Sequence, residues 1–301
     1  LSEPTSAGFV ALIGAPNAGK STLLNQLVGS KVSIVSRKVQ TTRALVRGIV
    51  IEGRAQIIFV DTPGIFKPKR RLDRAMVTSA WGGAGDADAV CLLIDARKGV
   101  DEEAEAILAK LPEIKQPKIL ILNKIDLIER TRLLALASMI NERVAFDHTF
   151  MVSALKGHGV EDLKGVLAGM MPAGPWLYPE DQISEAPLRV LAAEITREKI
   201  YDRLHQELPY EAHVTTDSWQ QREDGSVRIE QTIFVARESQ RKIVLGQGGQ
   251  TIKAIGQSSR KEIMEFAECP VHLFLFVKVR ENWADDPERF REMGLEFPRG
   301  G

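Results

Sequence analysis

Five continuous apolar runs mark the first half of the chain: FVALIG (Phe9–Gly14), AQIIFVD (Ala55–Asp61), AVCLLID (Ala89–Asp95), KILILNK (Lys118–Lys124) and HTFMVSA (His148–Ala154). None alternates with polar residues, as expected of strands whose two sheet faces are both covered by helices. Stretches of helical period separate them. The segment RALVRGIVIEGRAQIIFVD adds a hairpin that turns at Glu52-Gly53-Arg54. The pattern predicts a doubly wound α/β sheet, parallel except for one antiparallel edge strand.

A different order follows a short stiff stretch, MMPAGPWLYPED, which holds Pro172, Pro175 and Pro179. Leu188, Leu191, Ile195, Ile200, Leu204 and Leu208 recur at helical spacing. Two strand-like stretches then meet at REDGS, whose Asp-Gly is a hairpin signal. Val227, Ile229, Ile233 and Val235 fall on one face of the second. A glycine loop, a helical stretch through Ile252, Ile255, Ile263 and Phe266, and the alternating strand PVHLFLFVKV complete the set. That order predicts a small α+β domain with its helices on one sheet face. The reading divides the chain into residues 1–172, a Pro-rich linker at 173–184, a second domain at 185–280 and a tail at 281–301.

Composition narrows the class. At 301 residues, 44% hydrophobic and 27% charged, the chain reads as an ordinary globular protein of two domains. No apolar run approaches the length of a membrane span. Cys91, inside a strand-like run, reads as a buried free thiol, so a reducing cytoplasm is expected. Net charge is zero, yet residues 1–172 carry +5 and the remainder −5. Any nucleic-acid surface must therefore be local.

The chemistry begins at GAPNAGKS, Gly14 to Ser21, placed after a strand and opening a helix. There Gly14, Asn17, Ala18, Gly19, Lys20, Ser21 and Thr22 form a cradle whose N–H groups meet phosphate. Lys20 reaches the β/γ-phosphates and the Ser21 hydroxyl ligates Mg²⁺. In DTPG, Asp61 is placed to hold Mg²⁺ through water and the Gly64 N–H to sense the γ-phosphate. In NKID, the Asp126 carboxylate matches the donor pair of guanine, with Asn123 and the Lys124 stem holding the base. In SAL, Ser153, Ala154 and Leu155 offer a backbone N–H to guanine O6. All four motifs lie at strand C-terminal ends, where doubly wound sheets bind ligands. GTP and GDP are the expected ligands.

A second glycine loop, VLGQGGQTIKAIG, lacks the Lys-Ser/Thr pair, so γ-phosphate and Mg²⁺ chemistry is not expected there. What it keeps is G-x-x-G, formed by Gly246, Gln247, Gly248 and Gly249, just before a helix N-terminus. Residues 237–261 carry a net +5, including Arg241, Lys242 and Lys253. Ile252 and Ile255 read either as an apolar floor for bases or as core.

On these motifs residues 6–172 resemble the translation-factor-related GTPases. The resemblance places QTTR, Gln40 to Arg43, in the first switch and makes Thr42 a Mg²⁺ ligand. It assigns Lys20, Thr42, Gly64 and Asn17 to the hydrolytic step, with K⁺ beside Asn17 as a further ion. The water-orienting Gln of Ras-like relatives is replaced by Ile65, so slow intrinsic hydrolysis is expected. The basic run KPKRRLDR, Lys67 to Arg74, reads equally as a solvated loop or an RNA contact.

The second domain resembles a KH domain of the second topology, whose clamp holds about four nucleotides of single strand. The whole chain resembles the Era family, through VSRKVQTTR and the tail VKVRENWADDPERFREMGLEF. That resemblance implies binding to the 3′ end of small-subunit ribosomal RNA, a role in maturation of the small ribosomal subunit, and a monomer when free. It leaves peripheral association with the inner membrane face open. The competing reading is a regulatory GTPase whose second domain docks on a protein or a membrane.

Overall fold

The computed structural model describes residues 4–36, 38, 41–204, 208–281 and 286–298. Arg37, Val39 and Gln40 around the first-switch motif, and residues 282–285 and 299–301 of the tail motif and terminus, lie outside the described residues. Two compact units emerge. The first comprises residues 1–33, 42–185 and 293–301; the second comprises 34–41 and 186–292.

The first unit is a six-stranded sheet. Its strands are β1 (Ser6–Gly14), β2 (Val46–Glu52), β3 (Ala55–Asp61), β4 (Ala89–Asp95), β5 (Lys118–Asn123) and β6 (His148–Val152). They run in the order β2-β3-β1-β4-β5-β6. β2 pairs antiparallel with β3, and every other pairing is parallel. The hairpin expectation therefore holds.

Alternation along each strand explains the continuous apolar runs. In β1, Val10 and Leu12 join one core with Leu23, Leu24 and Leu27 of α1 (Lys20–Val28) and Leu163 and Leu167 of α5 (Val160–Met170). Ala11 and Ile13 join the other core, beneath α2 (Arg71–Gly85), α3 (Glu102–Lys110) and α4 (Arg130–Arg143). Successive side chains point to opposite faces, and both faces are dry. Cys91 is buried and free in the first core, its thiol pushed far above the usual range by burial.

The Pro-rich stretch is fastened to this first unit. The N–H groups of Leu177 and Tyr178 donate to the Gln56 Oε1 at 2.7 and 3.0 Å, and Gln56 Nε2 donates to the Tyr178 carbonyl. Gln56 itself is fully buried. The Trp176 indole donates to the Arg54 carbonyl, and the Ile49 N–H to the Ile183 carbonyl on the β2 edge. The end of the chain returns here too: Leu295 is buried, and Phe297 lies 5.0 Å beneath the Arg71 guanidinium. Within the basic run, residues from Arg71 onward belong to α2, and Asp73 fastens its start by accepting from the Lys69 and Arg70 N–H groups.

The second unit carries α6 (Leu188–Arg203), β7 (His213–Gln221), β8 (Val227–Val235), α7 (Glu238–Leu245), α8 (Gln250–Ala267), β9 (Val271–Val279) and α9 (Pro287–Glu292). β8 is central, antiparallel to β7 and parallel to β9. Ile229, Ile233 and Val235 of β8 are fully buried, and the cores they enter include Ile195 and Ile200 of α6, Val244 of α7, and Ile255 and Ile263 of α8. The helical spacing that predicts one helix through Leu208 overshoots: α6 stops at Arg203. Leu208 reaches the same core from a 3₁₀ turn whose Pro209 has no N–H for an α-helical bond.

Candidate nucleotide site and RNA groove

The phosphate loop links β1 to α1. Gly19, left-handed, caps α1 without a side-chain bond, so the first N–H groups of the helix face the loop. Asn17 is also left-handed, with φ 63°. Lys20 is buried, and its ammonium donates to the carbonyls of Gly14 and Ala15 at 3.1 Å each. Burial pushes this ammonium down to about 8, against the pull of Asp61. The Gly64 backbone approaches the loop so closely that a Cβ there would stand 2.9 Å from Pro16.

The three residues expected to hold a metal do converge. The Ser21 hydroxyl lies 2.6 Å from Asp61 Oδ2 and 3.0 Å from the Thr42 hydroxyl, and Thr42 lies 3.4 Å from the same oxygen. Ser33, which sequence reasoning passed over, also donates to it at 3.0 Å. Asp61 is fully buried, and burial raises its pKa against Lys20 and the three hydroxyls. Its other oxygen, Oδ1, is buried without a hydrogen-bond partner. An orphaned carboxylate oxygen beside two hydroxyls fits a hard divalent cation that draws its remaining ligands from phosphate and water.

The base-reading loops are more tightly braced than the motifs suggested. Asn123 braces the loops: its Nδ2 donates to the Ala18 carbonyl, and its Oδ1 accepts from the Lys124 and Ala154 N–H groups. An amide has two N–H donors, and the bond to Ala18 uses one of them. Lys124, left-handed, sends its ammonium to the Asn17 carbonyl at 2.6 Å and to Asp95 at 2.7 Å. Asp95, buried at the end of β4, is a supporting residue the motifs did not reveal. The Ser153 hydroxyl donates to Asp126 Oδ1 at 2.7 Å, and this bond holds the carboxyl below its usual range. The Ser153 and Ala154 N–H groups are bonded within the protein. Ile65, at the Ras-like Gln position, is buried in the core with its N–H on the Gly14 carbonyl.

Among the described residues around the first switch, Val35, Lys38 and Thr41 belong to the second unit. The Val35 N–H donates to Glu198 at 2.7 Å, Lys38 to the Tyr201 and Leu204 carbonyls, and Arg197 to the Thr41 carbonyl. Glu198 in turn meets Lys199, which also pairs with Glu262 of α8. No sequence motif announced these partners.

The second glycine loop joins α7 to α8. At Gly246, φ is 73° and a Cβ would stand 2.2 Å from the Thr251 hydroxyl, so only glycine fits. Gly249 caps α8 without a side-chain bond, and Gln247 and Gly248 are exposed. Lys242 and Lys253 are exposed and Arg241, half-buried, pairs with Glu238 at 2.8 Å. Ile252 is half-buried, with Leu275 and Val277 of β9 packed at the edge of the same core. Ile255 is fully buried beneath them, so of the two isoleucines only Ile252 is placed to meet a ligand.

A phosphate loop, a buried magnesium-type carboxylate and a guanine-reading loop on one unit, with a G-x-x-G helix pair on the other, define a GTPase carrying a KH domain. Known proteins agree: residues 9–124 match the 50S ribosome-binding GTPase family and residues 207–284 the KH domain family. The chain is 72% identical over 297 residues to GTPase Era of Afipia carboxidovorans, covering 99% of this chain and 96% of that one. It is 68% identical over 296 residues to GTPase Era of Rhizobium meliloti, covering 98% and 95%. The crystal structure of an Aquifex aeolicus Era variant bound to GDP.AlF4- superposes with a TM-score of 0.91 at 38% identity, covering 96% of this chain and 99% of that one. So does that of Era in complex with MgGDPNP and nucleotides 1506–1542 of 16S ribosomal RNA, with the same score, identity and coverage. The chain belongs to the Era family of GTPases.

If the Lys20 ammonium meets phosphate, its burial makes nucleotide affinity depend on pH. Anionic phosphate beside the ammonium lifts its pKa from about 8 toward its usual 10.5, so nucleotide binding takes up a proton. Affinity is then full well below pH 8 and falls as pH rises through that value toward 10.5. GDP titrated by fluorescence should bind roughly tenfold more weakly near pH ~9 than near pH ~7. A flat profile would exclude this role for the ammonium.

Proposed function

We propose that this chain is a Mg²⁺-dependent, GTP-hydrolysing switch whose KH domain holds the single-stranded 3′ end of small-subunit ribosomal RNA, in assembly of the small ribosomal subunit. The observation that carries the nucleotide half is the meeting of Ser21, Thr42 and the orphaned Asp61 oxygen at the mouth of the Lys20 loop. The observation that supports the RNA half is the open Gly248–Gly249 turn at the N-terminus of α8, with exposed lysines at both sides. The complex of the Era neighbour with 16S RNA supports the choice of RNA.

In this reading Lys20 binds the β/γ-phosphate oxygens, and Asp126 accepts from the guanine N1–H and amino group. The Leu155 N–H, rather than those of Ser153 or Ala154, donates to O6. Ser21, Thr42 and Asp61 hold Mg²⁺, which would neutralise phosphate charge when bound. Ile65 cannot orient a water, so intrinsic hydrolysis is slow. We assign K⁺ to the phosphate side of Asn17, where it supplies positive charge. Hydrolysis should then run faster in KCl than in NaCl; equal phosphate release in the two salts removes the ion from the mechanism.

On the RNA side, phosphate meets the N–H groups at the start of α8 while bases lie on Ile252. Filter binding of the GTP-analogue complex to a short 16S 3′-end oligonucleotide tests this. Affinity should fall steeply with salt, because Arg241, Lys242 and Lys253 displace counterions. No binding at low salt would favour docking on a protein or a membrane instead. No described helix is long and apolar enough to cross a membrane.

A further inference from the structure

We propose that the outward face of β9 and β8, centred on Phe274 and Phe276, is a second RNA contact, on which bases flanking the clamped stretch stack. This rests on the RNA reading above. β9 is an edge strand, and its residues alternate between the helix-covered side and the open side of the sheet. Leu273, Leu275 and Val277 turn toward the helices, while His272, Phe274, Phe276 and Lys278 are exposed. The two phenylalanines are 42% and 49% exposed. Two large aromatics side by side, about 7 Å apart along one strand, are not the scattered single residues of an ordinary surface.

Their neighbours are charged and of both signs. On the paired strand β8, Arg228 stands opposite His272, Glu230 opposite Phe274 and Thr232 opposite Phe276. The Arg228 guanidinium lies 4.7 Å from the Phe274 ring centroid and pairs with Glu230 at 2.5 Å. Its Nε is buried without a partner. Lys278 closes the other end of the strand. Aromatic rings interleaved with cations suit a single strand, whose bases stack on rings and whose phosphates meet the flanking charge. A protein partner would favour a patch whose centre is depleted of charge.

Length and continuity point the same way. A G-x-x-G clamp holds about four nucleotides, whereas the RNA in the Era neighbour spans nucleotides 1506–1542. Ile255, on the helix that carries Ile252, shares a core with Leu275 and Val277 of β9, and Phe274 and Phe276 lie on the other face of that strand. No other strand stands outside β9 among the described residues.

The test uses the full chain loaded with a non-hydrolysable GTP analogue. Phe274→Ser with Phe276→Ser is compared with wild type by fluorescence anisotropy, on 16S 3′-end oligonucleotides of five and twelve nucleotides. The double variant should lose roughly 10- to 100-fold in affinity for the longer RNA and nothing for the shorter one. Phe274→Tyr with Phe276→Tyr, which keeps both rings, should restore binding even if the serine variant folds poorly. An unchanged affinity for the longer RNA overturns the proposal, as does failure of the tyrosine variant to bind it. Loss of self-association, or of binding to small subunits, with RNA affinity intact would reassign the face to a protein and equally overturn it. If wild type binds neither oligonucleotide, the RNA reading itself falls.

Discussion

Lys20→Ala should weaken both GDP and GTP binding by about two to three orders of magnitude, the range for truncating one partner of a buried charge pair. The ammonium is buried and already faces the loop carbonyls of Gly14 and Ala15, so no neighbour can take its place. Truncation also leaves the buried Asp61 carboxylate without its nearest counter-charge. The protein without nucleotide has an offsetting gain, since a buried ammonium is itself costly. Thermal unfolding of the variant should therefore change less than its nucleotide affinity does. Equilibrium dialysis with labelled GDP measures the first quantity. An affinity within about threefold of wild type would show that the loop backbone alone holds the phosphates. RNA binding by the second unit should be affected only through loss of the nucleotide.

Gly249→Asp should produce the converse, abolishing RNA binding while leaving GDP affinity within about twofold. The position is open, with nothing within 4 Å of the added Cβ, and its φ of 77° lies in a region aspartate tolerates better than most residues. The new carboxylate would stand at the N-terminus of α8, where the phosphate of the clamped strand is expected. A helix N-terminus favours a fixed anion, so the variant should fold, and it should fold with its anion site occupied by its own side chain. Repulsion of the RNA backbone then adds to that competition. Intact RNA affinity would reject the clamp, whatever the KH fold suggests.

The sequence exposed these two sites because each is built from local motifs. Lys20 and Ser21, or Gly246 and Gly249, act within one turn, so their spacing alone fixes their geometry. The sheet class was legible for a related reason: runs without alternation require two covered faces, and one hairpin requires one antiparallel edge. What stayed hidden depends on residues far apart along the chain. Asn123 reads as a base contact, and its motif does not show that its amide also joins Ala18, Lys124 and Ala154. Asp95 gives no signal in its own segment, because its role exists only where Lys124 crosses β4. Ile252 and Ile255 share a helical pattern that cannot say which one is under the other; burial decides it.

The division of residues 34–41 from the rest of the nucleotide-binding unit bears on how the protein can be dissected. A fragment ending at Glu185 would keep every nucleotide motif, from Gly14 to Leu155. It would nonetheless strip Val35, Lys38 and Thr41 of Glu198, Tyr201, Leu204 and Arg197, all far downstream in the chain. The chain passes between the two units four times rather than once. A truncated enzyme is thus not a simpler copy of the whole, and rates measured on it describe a first switch whose supports have been removed.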